Sequence, residues 1–415
     1  MSRLRSRPRR LWLGAGLYAA SLLYLLMQGG KTSLMLFAML NGLAVYLLLG
    51  RWSGVTRVQA ERTLEGEFAA NPRLVAGARL HVRLKIQVPG YWPLPYLIVR
   101  EKIARESGSE VREYELSCVP DYRRRGVVEY VTAPLRRGTY RFLPTVVSTR
   151  DVFGLFEHRG SWDSPMTIKV LPRTIDLREW SPVRMARVGV YQRTTSALWA
   201  RETTQIDGVR EYIHGDRLSR IHWNATARTG EWKSKEFERE SLPRLVVLLD
   251  RQSSAYRTAE GFELAVSAAA SVLELGLKRG MPVGFVSIGR SGPVLFGGQR
   301  TPVSREDLLN HLIDVEADGR EPLAALATAA AERYEPGVFC VIVSPSASPE
   351  AIGPLDALAA RRMIPCHIHI RETQPRGEEA MALAAWERAF EARGWPFFSI
   401  ARLEDLTRMP GVESA

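Results

Sequence analysis

The sequence predicts a multidomain chain: a two-helix membrane hairpin, then a β-sandwich, then a doubly wound α/β domain. Three observations carry that reading. Two uncharged, largely apolar runs stand behind an arginine-rich start. A long middle region alternates apolar and polar residues with period two, and beyond residue 241 apolar runs of strand length alternate with amphipathic helical stretches. The 415 residues suffice for several cored domains, and an apolar content of 46% excludes bulk disorder.

Residues 1–56 are read as the hairpin, with spans at about 11–28 and 34–50. The first run is about 27 Å long as a helix at ~1.5 Å per residue, close to the thickness of a hydrocarbon core. Arg3, Arg5, Arg7, Arg9 and Arg10 precede it, whereas Lys31 alone sits in the turn between the runs. That asymmetry predicts a cytoplasmic N-terminus, and two crossings return the C-terminus to the cytoplasm. A cleaved signal peptide is disfavoured by the second run directly behind the first. The net charge of +12 is concentrated here: residues 1–57 hold eight basic side chains and no acid, and the rest holds 49 basic against 45 acidic. The basic balance therefore reads as membrane topology with a lipid bilayer as partner, and no nucleic-acid partner is expected.

Residues 57–177 are read as a β-sandwich of about seven strands. Leu80, Val82, Leu84, Ile86 and Val88 alternate with His81, Arg83, Lys85 and Gln87, the pattern of a strand buried on one face. Asn71-Pro72, Pro89-Gly90, Ser107-Gly108 and Arg137-Gly138 punctuate the region as turns. Residues 178–207 lose the alternation and read as a linker. Residues 241–410 form the α/β domain, with strand candidates at 245–249, 283–288, 338–343, 364–370 and 397–400 and helices between them. Cys118, Cys340 and Cys366 match no metal or redox spacing and read as small apolar residues in a reducing compartment.

The densest stretch is 208–240, where Arg210, Glu211, Asp216, Arg217, Arg220, His222, Arg228, Lys233, Lys235, Glu236, Glu238 and Arg239 are interleaved with Tyr212, Trp223 and Trp232. A solvated linker has no use for two tryptophans. Gly215-Asp216 and Thr229-Gly230 mark turns, so a compact excursion of short elements is expected.

The order G-V-R-E-Y, H-G-D, R-I-H-W, A-R-T-G, K-E-F-E in this stretch resembles the signature of the bacterial domain-of-unknown-function family fifty-eight. The resemblance implies a membrane-anchored protein of the bacterial cell membrane that ends in a von Willebrand factor A-like domain and works with a MoxR-type AAA+ ATPase. A role in envelope-related assembly or stress handling would follow. It brings no reaction, and no enzymatic activity is expected. On the family pattern the interaction residues are Arg210, Tyr212, Gly215, Asp216, Arg217, Arg220, His222, Trp223, Arg228, Lys235, Glu236 and Glu238. Among them Asp216, Trp223 and Arg228 are read as structural, with Arg217, Lys235 and the neighbouring Lys233 as exposed contacts.

Other chemistries remain open in the sequence. In von Willebrand A-like domains a D-x-S-x-S motif holds a divalent cation through hard oxygen ligands. Here Asp250 and Ser254 match that motif, but Gln252 replaces the first serine. The stretch 319–322 lacks the expected threonine, and Ser344 stands where an aspartate is usual. The alternatives are a Mg²⁺ or Mn²⁺ ligand-binding site and a degenerate one without a cofactor. His222 with Asp216, Glu211 and Arg228 would suit a hydrolase, against the alternative of an ion-pair network. His367 and His369 share one strand face but have no third metal ligand nearby in sequence.

Overall fold

The computed structural model describes residues 8–50, 54–65, 74–91, 93–108, 110–151, 157–179, 200–213, 218–241, 244–297, 304–374, 376–408 and 413–414. The chain divides into two compact units, residues 1–171 and 172–415.

The first unit opens with helices α1 (Pro8–Gln28) and α2 (Lys31–Gly50), reversed at Gly29, whose φ of 55° is left-handed. These helices correct the expected membrane hairpin: among the described residues, no helix is long and apolar enough to cross a membrane. The two-span fold class and the placement as a two-span protein of the bacterial cell membrane with both termini cytoplasmic fall with it. Both helices open on charged or polar residues. Pro8, Arg9 and Arg10 take up the start of α1, and Lys31, Thr32 and Ser33 that of α2. Ser21 and Ser33 are buried, and the Tyr18 hydroxyl donates to Asn41 Oδ1 at 3.0 Å.

Among the described residues ten strands follow, forming two sheets. One holds β1 (Gln59–Glu65), β3 (His81–Gln87) and β6 (Arg125–Val131), with β3 central. The other runs β2 (Leu74–Val75), β10 (Thr167–Leu171), β7 (Gly138–Phe142), β4 (Leu97–Arg105), β8 (Thr145–Arg150), β9 (Glu157–Trp162), and β5 (Val111–Cys118) also pairs with β4. The period-two pattern is realised in β3, where Val82, Leu84 and Ile86 point into a core shared with Leu97, Val99, Ile103, Tyr140 and Phe142.

One inward position of β4 breaks the apolar pattern. Glu101 is fully buried and paired with Arg62 of β1 at 2.6 Å. Arg62 also donates to Ser164 O at 2.8 Å and to Thr145 Oγ1 at 3.1 Å, and stacks over Phe142 at 4.3 Å. The Tyr130 hydroxyl donates to the other Glu101 oxygen, and burial followed by the Glu101 charge pushes its pKa up.

The described residues of the second unit carry three sheets. Strand β11 (Leu177–Glu179) pairs with β20 (Glu413–Ser414), and β12 (Ala200–Glu211) forms an antiparallel ladder with β13 (Lys233–Ser241). Strand β12 therefore begins inside the stretch read as linker; its partner supplies the backbone hydrogen bonds that local pattern did not announce. The third sheet has the order β16 (Gly292–Phe296), β15 (Val283–Gly289), β14 (Arg244–Leu249), β17 (Val338–Ser344), β18 (Ile364–Ile370), β19 (Phe397–Ile400). All neighbours are parallel except the edge pair β15–β16.

Helices cover both faces of this sheet. Leu245, Val247 and Leu249 of β14 share one core with α4 (Ala259–Lys278) and α5 (Arg305–Asp314). Val246 and Leu248 share the opposite core with α6 (Leu323–Arg333), α7 (Ile352–Ala360) and α8 (Glu378–Ala392). The first crossover leaves β14 for β15 on one side, and the chain later returns to β17 on the other. The switch point of strand order therefore lies between the carboxyl ends of β14 and β17, where such sheets form a ligand crevice.

Candidate functional site

Two regions of the second unit concentrate polar chemistry: the tip of the β12–β13 hairpin and the carboxyl edge of the six-stranded sheet.

At the hairpin tip the chain leaves β12 and makes a 3-10 turn, Leu218–Arg220. It then forms the short helix α3 (Trp223–Thr229) before entering β13. Each joint is tied by a local bond. Ile221, buried, bridges to the buried Ser234, and His222 N donates to Lys233 O at 2.8 Å. The helix is capped at both ends: Nδ1 of His222 accepts from Ala225 N at 3.1 Å, and Gly230, at φ 72°, donates its N–H to Thr226 O. An Nδ1 acting as acceptor places the proton of a neutral ring on Nε2. While the cap holds, the Nδ1 lone pair of His222 is engaged by the Ala225 N–H.

Apart from the buried Ile221 and the half-buried Tyr212, the large apolar residues described at the tip are exposed. Trp223 is 63% exposed and Trp232 52%, and Ile213 and Leu218 are exposed beside them in sequence. The Trp232 ring lies 5.6 Å from Tyr212 and 6.4 Å from Trp223, so the three aromatics form one cluster. Lys233 contacts Glu211 at 3.5 Å and Glu231 at 3.4 Å, and its side chain is only 17% exposed. Arg210 donates to Glu211 O at 2.9 Å.

At the sheet edge, Asp250 follows β14 and is buried. Its Oδ1 accepts from Gln252 N at 2.9 Å and its Oδ2 from Ser344 Oγ at 2.6 Å. Burial raises the Asp250 pKa, while the Ser344 and Gln252 bonds oppose the rise. The Ser344 carbonyl in turn accepts from His367 Nε2 at 3.1 Å, and Trp386 donates to His367 Nδ1 at 2.8 Å. Beside this relay lies a cleft of about 260 Å³, whose lining includes Arg257, His369, Arg371, Glu372 and Glu379. Glu372 accepts from Arg257 N at 2.8 Å and from Thr258 N at 3.5 Å, and Arg257 is ion-paired with Glu379. The chain's own carboxylate thus occupies the amino end of α4. Glycine at 261 leaves room for it: a Cβ there would lie 1.8 Å from Glu372 Oε1 and would displace this side chain.

A family model described as a protein of unknown function, DUF58, matches residues 208–375. Those residues are a DUF58 domain. Over 314 residues the chain is 28% identical to the protein named uncharacterized YeaD of Bacillus subtilis (strain 168), covering 75% of this chain and 76% of that one. Among solved structures, the CARDB domain of a Pyrococcus furiosus protein is 13% identical with a TM-score of 0.18, covering 27% of this chain and 91% of that one. A superoxide reductase (neelaredoxin) from Ignicoccus hospitalis is 12% identical, also at 0.18, covering 27% and 80%. At those scores neither likeness bears on fold or function.

The DUF58 domain gathers Arg210, Tyr212, Arg220, His222, Trp223, Arg228 and Lys235 on the hairpin and its short helix. Gly215, Asp216 and Arg217 lie outside the described residues. Glu236 and Glu238 are on β13, with side chains outside the description. Exposure reverses part of the division expected from sequence: Trp223 and Arg228 are exposed, whereas Lys233 is largely covered. The register Val209↔Lys235 and Glu211↔Lys233 puts Lys235 on the face of the hairpin opposite to Arg210 and Ser234. Of the two cation-ligand candidates, Asp250 bonds with Ser344, and Ser254 stands exposed in the following turn. Sequence reasoning missed Ser344, Trp386 and Glu372 as partners at this edge. Their contacts link positions 94, 19 and 115 residues apart, beyond the reach of any local motif.

Proposed function

We propose that the hairpin tip of the DUF58 domain is a protein-docking surface, and that its partner is the MoxR-type AAA+ ATPase implied by the family resemblance. The observation that supports this is the cluster of the exposed Trp223 and Trp232 with the half-buried Tyr212, and the exposed Ile213 and Leu218 close by in sequence. Exposing two tryptophans costs favourable burial that a partner restores, and aromatic anchors within a polar rim are the usual carriers of binding energy. The caps on α3 and the bridge from Ile221 hold these rings in place before binding, which lowers the entropy lost on association. In this reading the six-stranded sheet, with helices on both faces, is the von Willebrand factor A-like scaffold behind the docking element.

The test is a titration of the full chain with a purified MoxR-type ATPase from the same organism. Trp223→Ala and Trp232→Ala are expected each to weaken binding by roughly 30-fold or more, the range of hot-spot truncations, with little change in melting temperature. Unchanged affinity in both variants would overturn the reading.

A further inference from the structure

We propose that the cleft at the carboxyl edge of the six-stranded sheet binds a short aliphatic carboxylate, with Arg371 as its anchor. The proposal is independent of the hairpin tip and of any docking partner. The cleft draws its lining from the turns after β14 and β17, the end of β18 and the first turns of α8. It therefore lies where a parallel sheet of this strand order presents a ligand crevice. Arg371 is the first residue beyond β18, held there by the bond from its N–H to Ile400 O at 2.8 Å, and its side chain is exposed.

The charges around Arg371 decide the sign of the ligand. Besides the cleft, Arg371 lines a second depression together with Arg402, Glu404 and Asp405. Each carboxylate lining the two is already engaged. Glu372 accepts from the backbone of Arg257 and Thr258, and Glu379 pairs with Arg257. Glu404 pairs with Arg173 at 2.8 Å, and Asp405 Oδ2 accepts from Ala401 N and Arg402 N, each at 2.9 Å. Among the described residues, the guanidinium groups of Arg371 and Arg402 have no hydrogen bond or ion pair. The unanswered charge at the cleft is therefore positive, and an anion answers it.

The walls decide which anion. The amides of Arg257 and Thr258, which a phosphate would use at the amino end of α4, are taken by Glu372. A single planar guanidinium matches a carboxylate, two N–H groups against two oxygens. Ala255, Pro345, Ala347, Ala382 and Leu383 supply aliphatic wall, and no aromatic ring stands among the described lining residues for a base to stack on. At about 260 Å³ the cleft is smaller than the usual sites of drug-sized molecules, which limits the aliphatic body to a short one.

The test is an NMR titration of the full chain with pentanoate, pentanamide and inorganic phosphate. Pentanoate is expected to bind with a Kd on the order of 1 mM, the range open to a ligand of its size. Pentanamide lacks the charge and phosphate lacks the aliphatic body, so each is expected to bind about tenfold more weakly or worse. Arg371→Gln is expected to weaken pentanoate by about tenfold with no shift in melting temperature, because it removes an exposed side chain that bonds to nothing else in the described fold. Ala382→Leu keeps the arginine and narrows the cleft, and is expected to weaken pentanoate severalfold. No saturable binding of pentanoate up to about 10 mM, equal binding of pentanamide, or tighter binding of phosphate overturns the proposal. Pentanoate affinity unchanged in either variant overturns it as well, since the ligand would then sit on apolar surface elsewhere.

Discussion

Trp386 donates its indole N–H to Nδ1 of His367 at 2.8 Å, and so fixes the proton of a fully buried imidazole on Nε2, which donates to the Ser344 carbonyl. An indole nitrogen can only donate, so this tautomer follows from the pair itself. Burial, then the neighbouring His369, depresses the His367 pKa to about 3, and burial depresses that of His369 to about 4. Both rings are neutral in the folded chain at pH 7. In the unfolded chain they titrate near ~6.5. Below that value the unfolded state binds more protons, so stability is fully present above about pH 6.5 and falls as the pH drops toward the folded-state values. The loss is ~1.4 kcal/mol per pH unit for each histidine. Urea midpoints between pH 7.5 and 5 are expected to fall, and to fall less in His369→Gln. An equal slope in that variant would show that the titration lies elsewhere.

The same pair predicts a stability effect at neutral pH. Trp386→Phe keeps most of the apolar volume and leaves a buried Nδ1 without its donor, at a cost of ~1–3 kcal/mol. A urea midpoint unchanged from that of the parent chain would remove the relay from Trp386 to Asp250 as a stabilising feature.

In the first unit, the buried pair of Arg62 and Glu101 predicts a larger effect. Removing one partner strands a charge: Glu101→Ala is expected to cost ~3–5 kcal/mol. Replacing both groups by apolar ones, Arg62→Met with Glu101→Leu, is expected to cost less than the single change, since no charge then remains to be desolvated. Equilibrium unfolding of the three chains in parallel decides it. A double variant less stable than Glu101→Ala contradicts the account.

Asp250 predicts the outcome of a metal titration. Both carboxylate oxygens accept hydrogen bonds from Gln252 and Ser344, and the only match to the family motif besides Asp250 is the exposed Ser254. A Mg²⁺ or Mn²⁺ ion would have to displace the Ser344 hydroxyl and complete its shell largely with water. The melting temperature of the full chain is therefore expected to move little with either ion up to millimolar concentration. A rise that disappears in Asp250→Ala would establish a functional cation site instead.

How far the sequence led depends on whether a feature is local. The alternation over Val82, Leu84 and Ile86 and the apolar run at the core of β14 are local patterns, and the strands lie where those patterns put them. Strand β16 was not foreseen, although Ser291-Gly292 marks its turn; the segment is short and half exposed. Strand β12 shows no local strand pattern, and its ladder partner lies beyond the α3 excursion. Glu101 sits 39 residues from Arg62, and a lone carboxylate at an inward position of β4 announces no partner. In the first 50 residues, absence of charge is a local signal for a span, whereas no described helix is long and apolar enough to cross a membrane. At the hairpin, the residue types were legible but their burial was not: two tryptophans among charges suggested anchoring, and the structure exposes both.

That last difference separates two neighbouring positions of the stretch, with one residue between them in the chain. Ile221 is buried and bridges to Ser234, while Trp223, two positions on, projects to solvent. Ile221→Ala removes apolar contact at the joint that aligns α3 with β13, and is expected to destabilise by ~2–5 kcal/mol, as large-to-small core changes do. Trp223→Ala removes no core contact, so its effect on stability is expected to stay within about 1 kcal/mol. Partner affinity is expected to respond in the opposite proportion. Trp223→Ala loses an anchor directly, and Ile221→Ala, measured below its melting transition, keeps the rings and weakens binding only through looser positioning. The two variants are compared by thermal melts and by titration with the same ATPase preparation. If Trp223→Ala proves the less stable of the two, the ring is structural as the sequence suggested, and the docking surface must be sought on the opposite face of the hairpin, at Val209 and Lys235.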